Sequence, residues 1–185
     1  MKKIGYIILA IVVVFALYAW MSYNKLVTLN ETATTQWAQV ETQYQRRFDL
    51  IPNLVESVKG IMAQEKEVFG ALAAARTQYS GAQNQADKAT AVKNVESALG
   101  RLLVVVENYP TLKSSETVQT LMAQLEGTEN RISVARKDYN DTIRTYNLST
   151  KRFPSSVIAA MFGFDEKVYF EADQAAAAAP KVDLK

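Results

Sequence analysis

The sequence predicts an all-α protein: an antiparallel four-helix bundle preceded by one N-terminal transmembrane helix. Three observations carry that expectation. An uncharged apolar run fills residues 4–21. Beyond it, apolar side chains recur at alternating steps of three and four over four long segments, the spacing that keeps side chains on one helix face. Glycine and proline are sparse, seven and four in 185 residues, so little interrupts the good helix formers. No stretch shows strand-like alternation.

The first element is the apolar run. Lys2 and Lys3 precede 18 residues without a charge, Ile4 to Met21. As a helix this run rises about 27 Å, close to the hydrocarbon thickness of a bilayer. Ile4, Ile8, Val12, Phe15 and Trp20 are the expected anchor residues, and Tyr18, Trp20 and Tyr23 sit where an aromatic belt would lie. A cleaved signal peptide is the rival reading. It needs small residues before the cut, and the best candidate, Leu17-Tyr18-Ala19, offers a large leucine there. Two lysines lie before the span and one, Lys25, in the fifteen residues after it. The positive-inside rule therefore places the N-terminus in the cytoplasm and the bundle outside.

Four periodic segments follow. In the first, about residues 23–47, Leu26, Asn30, Ala33, Trp37, Val40, Tyr44 and Arg47 share a face. A break is expected next, with Asp49 capping a new helix and Pro52 in its first turn, where the missing N–H costs little; one long helix kinked near Phe48 is the alternative. The second segment, about 50–79, carries Ile51, Leu54, Val55, Val58, Met62, Phe69 and Leu72. Residues 80–87 are small and polar and predict a loop. The third, about 88–107, presents Val92, Val95, Leu99, Leu102, Leu103 and Val106 and stops at Asn108-Tyr109-Pro110. The fourth, about 116–147, keeps a coiled-coil-like seam from Val118 to Tyr146, with Ser115 as its expected N-cap, and turns polar and aromatic in its second half. Pro154 and Gly163 bracket a short helix, Ser155–Phe162. The expected organisation is an anchor at 1–21, a helical bundle at 22–170 and a mobile tail at 171–185.

Composition excludes several chemistries. There is no cysteine and no histidine, so no disulfide, thiolate nucleophile, Cys/His zinc site or histidine-based triad can be built. A bundle di-iron site also requires histidines. The 21 cations include Lys2 and Lys3, so residues 22–185 hold 19 cations against 19 anions. A nucleic-acid binder usually carries a basic excess, and none is present. No cofactor and no nucleic-acid partner are expected.

The residues also match a known family. Tyr23-Asn24-Lys25-Leu26-Val27, Trp37-Ala38-Gln39-Val40-Glu41, the run Arg46 to Glu56, Glu107-Asn108-Tyr109-Pro110-Thr111-Leu112-Lys113 and Leu125 to Ile132 occur in order. Ala135-Arg136, Tyr139-Asn140, Tyr146-Asn147, Phe153-Pro154 and Gly163-Phe164 follow. In these blocks the chain resembles the LemA family of bacterial membrane proteins over about residues 23–170. The resemblance implies an antiparallel four-helix bundle behind one transmembrane helix in the bacterial inner membrane, without enzymatic activity. Members are often encoded near a membrane zinc protease and TPM-domain proteins, which points to envelope quality control. Residues 71–100 carry none of these blocks.

Each candidate site also has a plainer reading. Arg46-Arg47 with Asp49 is either a docking patch or a helix end with arginines lying over apolar surface. Glu126, Glu129, Arg131 and Arg136 are either a charged site or an inter-helix ion-pair network. Glu107, Asn108, Tyr109 and Pro110 are either a recognition loop or a helix stop. Phe153 and Phe164, in the aromatic stretch 153–170, complete the candidate partner contacts. The expected function is an interaction scaffold or adaptor at the bilayer, contacting other membrane or envelope proteins. The alternative is a self-assembling structural homo-oligomer packed sideways through the tyrosine and threonine half of the fourth segment.

Overall fold

The computed structural model of the chain describes residues 2–60 and 66–170. Six helices occur in order: α1 Lys2–Lys59, α2 Lys66–Gly81, α3 Gln85–Glu107, α4 Pro110–Lys113, α5 Glu116–Lys151 and α6 Ser155–Phe162. No strand occurs among the described residues. The protein is all-α, as expected. The tail beyond residue 170 and Met62 lie outside the described residues.

The chain divides into two compact units. One holds residues up to 40 and from 135 onward; the other holds 41–134. Helices α1 and α5 contribute to both.

Within the first unit, α1 opens with the apolar run. It is long and apolar enough to cross a membrane. Ile4, Ile8, Val12, Phe15 and Trp20 are all exposed. A helix apolar on every side and exposed all the way from residue 4 to 17 suits lipid, not water. We therefore describe the chain as a membrane protein. Further along α1, Leu26, Ala33 and Val40 are buried.

The expected break after Arg47 is absent. Helix α1 runs unbroken to Lys59 with Pro52 inside it. A proline in a helix interior forfeits a backbone hydrogen bond and crowds the preceding turn, at about 3 kcal/mol. The burial pattern shows what offsets this. Tyr44, Arg47, Ile51, Leu54 and Val58 are all buried and step by three and four without a phase change, so the core stripe passes straight through the proline. Asp49 caps nothing; its carboxylate accepts a hydrogen bond from Gln45 Nε2 at 2.9 Å, one helical turn back.

The predicted loop 80–87 shrinks to residues 82–84. Gln85, Ala86 and Asp87 belong to α3, because Asn84 alone supplies the turn chemistry. Asn84 Oδ1 accepts from the Asp87 backbone N–H at 2.9 Å, and Asn84 Nδ2 donates to Asp87 Oδ2 at 2.8 Å, a reciprocal cap. Helices α2 and α3 then pack together; Leu72 and Ala75 of α2 and Ala91, Val95, Ala98 and Leu102 of α3 are all buried. At the far end α3 stops at Asn108 as expected, and Pro110 opens α4, a single turn that buries Leu112.

Tyr44, Phe48 and Tyr79 form an aromatic cluster, with the Phe48 and Tyr79 rings 4.4 Å apart. Lys88 pairs with Glu41 beside it. Burial, and then the Glu41 carboxylate, push the Tyr79 hydroxyl up to about 12.

Pro52→Ala should raise the stability of the detergent-solubilised chain by roughly 1–3 kcal/mol in urea unfolding; a neutral result would mean that the proline starts a separate helix. The Tyr79 proton is held more tightly in the folded than in the unfolded chain, so its stabilisation is full below the ordinary tyrosine value of 10.0 and disappears as pH rises towards about 12. Tyr79→Phe should therefore flatten the alkaline fall of the unfolding midpoint across that window, and an unchanged slope would refute the assignment.

Candidate functional site

The 41–134 unit contains an apolar cleft of about 640 Å³. Helix α3 supplies Leu99, Leu103 and Val106, α4 supplies Leu112, and α5 supplies Val118 and Met122. The local sequence explains why it exists. Leu102 and Leu121 occupy the buried seam, while their neighbours Leu103 and Met122 are only half-buried. Each helix therefore has an apolar stripe one residue wider than its core needs. The α4 turn, forced by Pro110, closes one end. The volume falls in the range of small-molecule and side-chain pockets, and the flexible methionine suits an adaptable wall.

Charge gathers at the rim. Glu107, Lys113, Glu126 and Glu129 line it, with Arg47 of α1 in the wall. Arg47 is only 8% exposed and donates from Nη1 to Glu129 Oε2. A buried guanidinium stays charged, so its carboxylate partner offsets much of the desolvation cost. Arg47 Nε is buried without a partner.

The arginine doublet thus splits: Arg46 is exposed and Arg47 is structural. The charged set on α5 splits too. Glu129 serves the 41–134 unit through Arg47, whereas Arg136, one heptad on, lies over the Phe170 ring at 5.6 Å in the other unit. Of the candidate contact residues, Glu107 lines the cleft, while Asn108, Tyr109 and Pro110 build the turn beside it. Phe153 and Phe164 belong to the other unit. Phe153 is 83% exposed; Phe164 is half-buried, with its ring 5.8 Å from that of Tyr23. Among the described residues no group of three or more acidic side chains could hold a metal ion.

In the unit containing α6, the polar and aromatic half of α5 has a use that the sequence did not reveal. Residues 164–170 form a strap along it. Asn147 Nδ2 donates to the Lys167 carbonyl at 2.8 Å, and Asn147 Oδ1 accepts from the Lys167 N–H at 3.0 Å. Asn140 holds Phe170 in the same two-bond way, at 3.0 and 2.9 Å. Tyr146 and Tyr139 donate to the carbonyls of Asp165 and Val168. Every rung pairs seven residues of helix with three of strap. Seven helical residues rise about 10.5 Å, and three extended residues reach about 10 Å, so the registers match and the strap runs antiparallel to α5. Trp37 stacks on Phe170 at 5.1 Å and closes the end. Tyr139 and Tyr146 are 1% and 2% exposed. The face expected to pack sideways against neighbouring copies is therefore covered by the chain's own strap. Burial, and then the Asp165 carboxylate, raise the Tyr146 hydroxyl above its ordinary value, which keeps it a donor. The available signal was the dipeptide Tyr-Asn repeated after seven residues.

Removing a bidentate buried amide leaves main-chain groups unsatisfied, at about 1–3 kcal/mol. Asn147→Ala should therefore abolish hydrogen-exchange protection of the Lys167 amide while leaving α3 amides protected; retained protection at Lys167 would show that the strap is held by its aromatic contacts alone.

Comparison with known proteins gives the following. The model of the LemA family matches residues 36–184. Magnetosome protein MamQ 2 and Magnetosome protein MamQ 1 of Paramagnetospirillum magneticum are each 30% identical over 186 residues, covering 86% of this chain and 68% of theirs. Magnetosome protein MamQ of Magnetospirillum gryphiswaldense is 28% identical over 176 residues, covering 81% and 65%.

Proposed function

Because the chain belongs to the LemA family, we propose that it is a non-enzymatic, membrane-tethered interaction scaffold of the bacterial envelope. The span holds it in the inner membrane with the N-terminus in the cytoplasm, and the 41–134 unit presents the cleft outside. Tethering keeps the cleft at high effective concentration for partners in the same bilayer. A role in envelope quality control fits such a scaffold.

The cleft is the observation that supports this reading best. Its volume of about 640 Å³ and its apolar lining suit side chains from one face of an amphipathic helix. Glu129 is taken up by Arg47, and the remaining charged lining is acidic on balance, Glu107 and Glu126 against Lys113. The fitting partner is therefore a helix with an apolar face flanked by lysine or arginine. Composition supports the non-enzymatic part: the absence of cysteine and histidine removes the usual nucleophiles and bases.

A photo-crosslinking residue at Met122, in the full chain in intact cells, should trap a partner of reproducible mass. The same residue at Arg46, exposed on α1 and outside the cleft, should not. Adding Leu103→Arg should lower the Met122 adduct by about tenfold, the loss of one well-placed apolar contact. Equal adducts from both positions, or none from Met122, would overturn the proposal.

A further inference from the structure

Helix α6 has two apolar faces, and among the described residues only one is covered by protein. Ile158 and Ala159 are buried with Leu26 of α1, and Ala19 and Phe164 pack against that cluster. The Phe162 ring lies 4.8 Å from the ring of Tyr23. On the other side Val157 is 44% exposed, Met161 70%, Phe162 56% and the preceding Phe153 83%. These side chains fall within ten residues, an unusual concentration of large apolar groups to leave in water.

The site on α1 where α6 docks indicates what covers them. Ala19 lies inside the uncharged run 4–21, and Leu26 lies five residues past its end, about 7.5 Å farther along the axis. Helix α6 therefore sits at the level where the hydrocarbon of a bilayer gives way to headgroups, a zone about 5–10 Å deep. Trp20 and Tyr23 mark the same level. The surrounding chain is cationic on balance: Lys25, Lys151, Arg152 and Lys167 against Asp165 and Glu166, with Lys151 and Glu166 paired at 2.7 Å.

We propose that α6 is an interfacial helix, lying in the headgroup layer of the bilayer crossed by residues 4–21, with Phe153, Val157, Met161 and Phe162 in the acyl boundary and the nearby cations on anionic headgroups. The proposal rests on the reading of residues 4–21 as a span. It makes lipid the ligand of a second, independent membrane contact, which fixes the rotation and tilt of α1. A single span leaves that rotation free, whereas a helix docked on its side and wetted by the same lipid does not.

The chain has no cysteine, so single labels can be introduced cleanly. Spin labels at Met161→Cys, Phe153→Cys, Val12→Cys and Thr35→Cys would be read in the full chain, reconstituted in liposomes of phosphatidylcholine and phosphatidylglycerol. The measurement is the ratio of accessibility to oxygen and to a water-soluble nickel chelate. Val12 should read as deep lipid and Thr35 as water. Met161 and Phe153 should both lie between them, several-fold above Thr35, and should fall when phosphatidylglycerol is omitted. Aqueous values at Met161 and Phe153 with Val12 in lipid would overturn the interfacial helix while sparing the span. An aqueous Val12 would overturn the span and the proposal with it. Spin–spin broadening at Met161 would overturn it in favour of a second copy as the occupant.

Discussion

A seven-residue repeat of burial on α1 is the constraint from which most of this protein follows. Leu26, Ala33, Val40, Arg47 and Leu54 stand at one heptad position, and all are buried. Tyr44, Ile51 and Val58 continue the other. Burying such a stripe contributes about 25 cal/mol per Å² of apolar surface, and helices of this kind owe their stability to that packing more than to intrinsic propensity. The repeat is strong enough to carry a proline in its interior and a charged residue in its seam. Each exception has a compensation: the unbroken burial on either side of Pro52, and the carboxylate of Glu129 for Arg47.

What was legible in the sequence was whatever the repeat itself encodes. The start of α5 at Glu116, the stop at Asn108 and the α6 helix ending at Gly163 emerge from periodicity and from local start and stop residues; Gly163 adopts the left-handed conformation, with φ 71°, that such a terminus favours. At two places the most obvious local signal lost. Pro52 reads as a helix start when considered alone, and residues 85–87 read as loop because their composition is polar. Tertiary burial in the first case, and a single asparagine cap in the second, decided otherwise.

The candidate sites were harder to see because they depend on surplus rather than pattern. The cleft arises where α3 and α5 each carry an apolar residue beyond what their packing uses, Leu103 and Met122, and no periodic template separates Leu103 from Leu102. The strap needs a match between two different rises, helical and extended, in segments about twenty to thirty residues apart. A reading of each segment by itself shows only a fourth helix that grows polar and an aromatic stretch without an evident purpose. The two together show that the polarity of the one answers the exposed main chain of the other.

The asparagine ladder has a consequence for how this region can vary. Asn140 and Asn147 grip the backbone of residues 167 and 170 and leave the side chains there unread. The gripping positions are therefore chemically fixed, while these bonds alone leave the gripped ones free in identity; at 170 the ring of Phe170 is held separately, stacked on Trp37 and edge-on to Tyr139. That freedom has two limits: proline is barred at 167 and 170, because both N–H groups are donated, and a single insertion or deletion between them would put the three-residue spacing out of step with the helix.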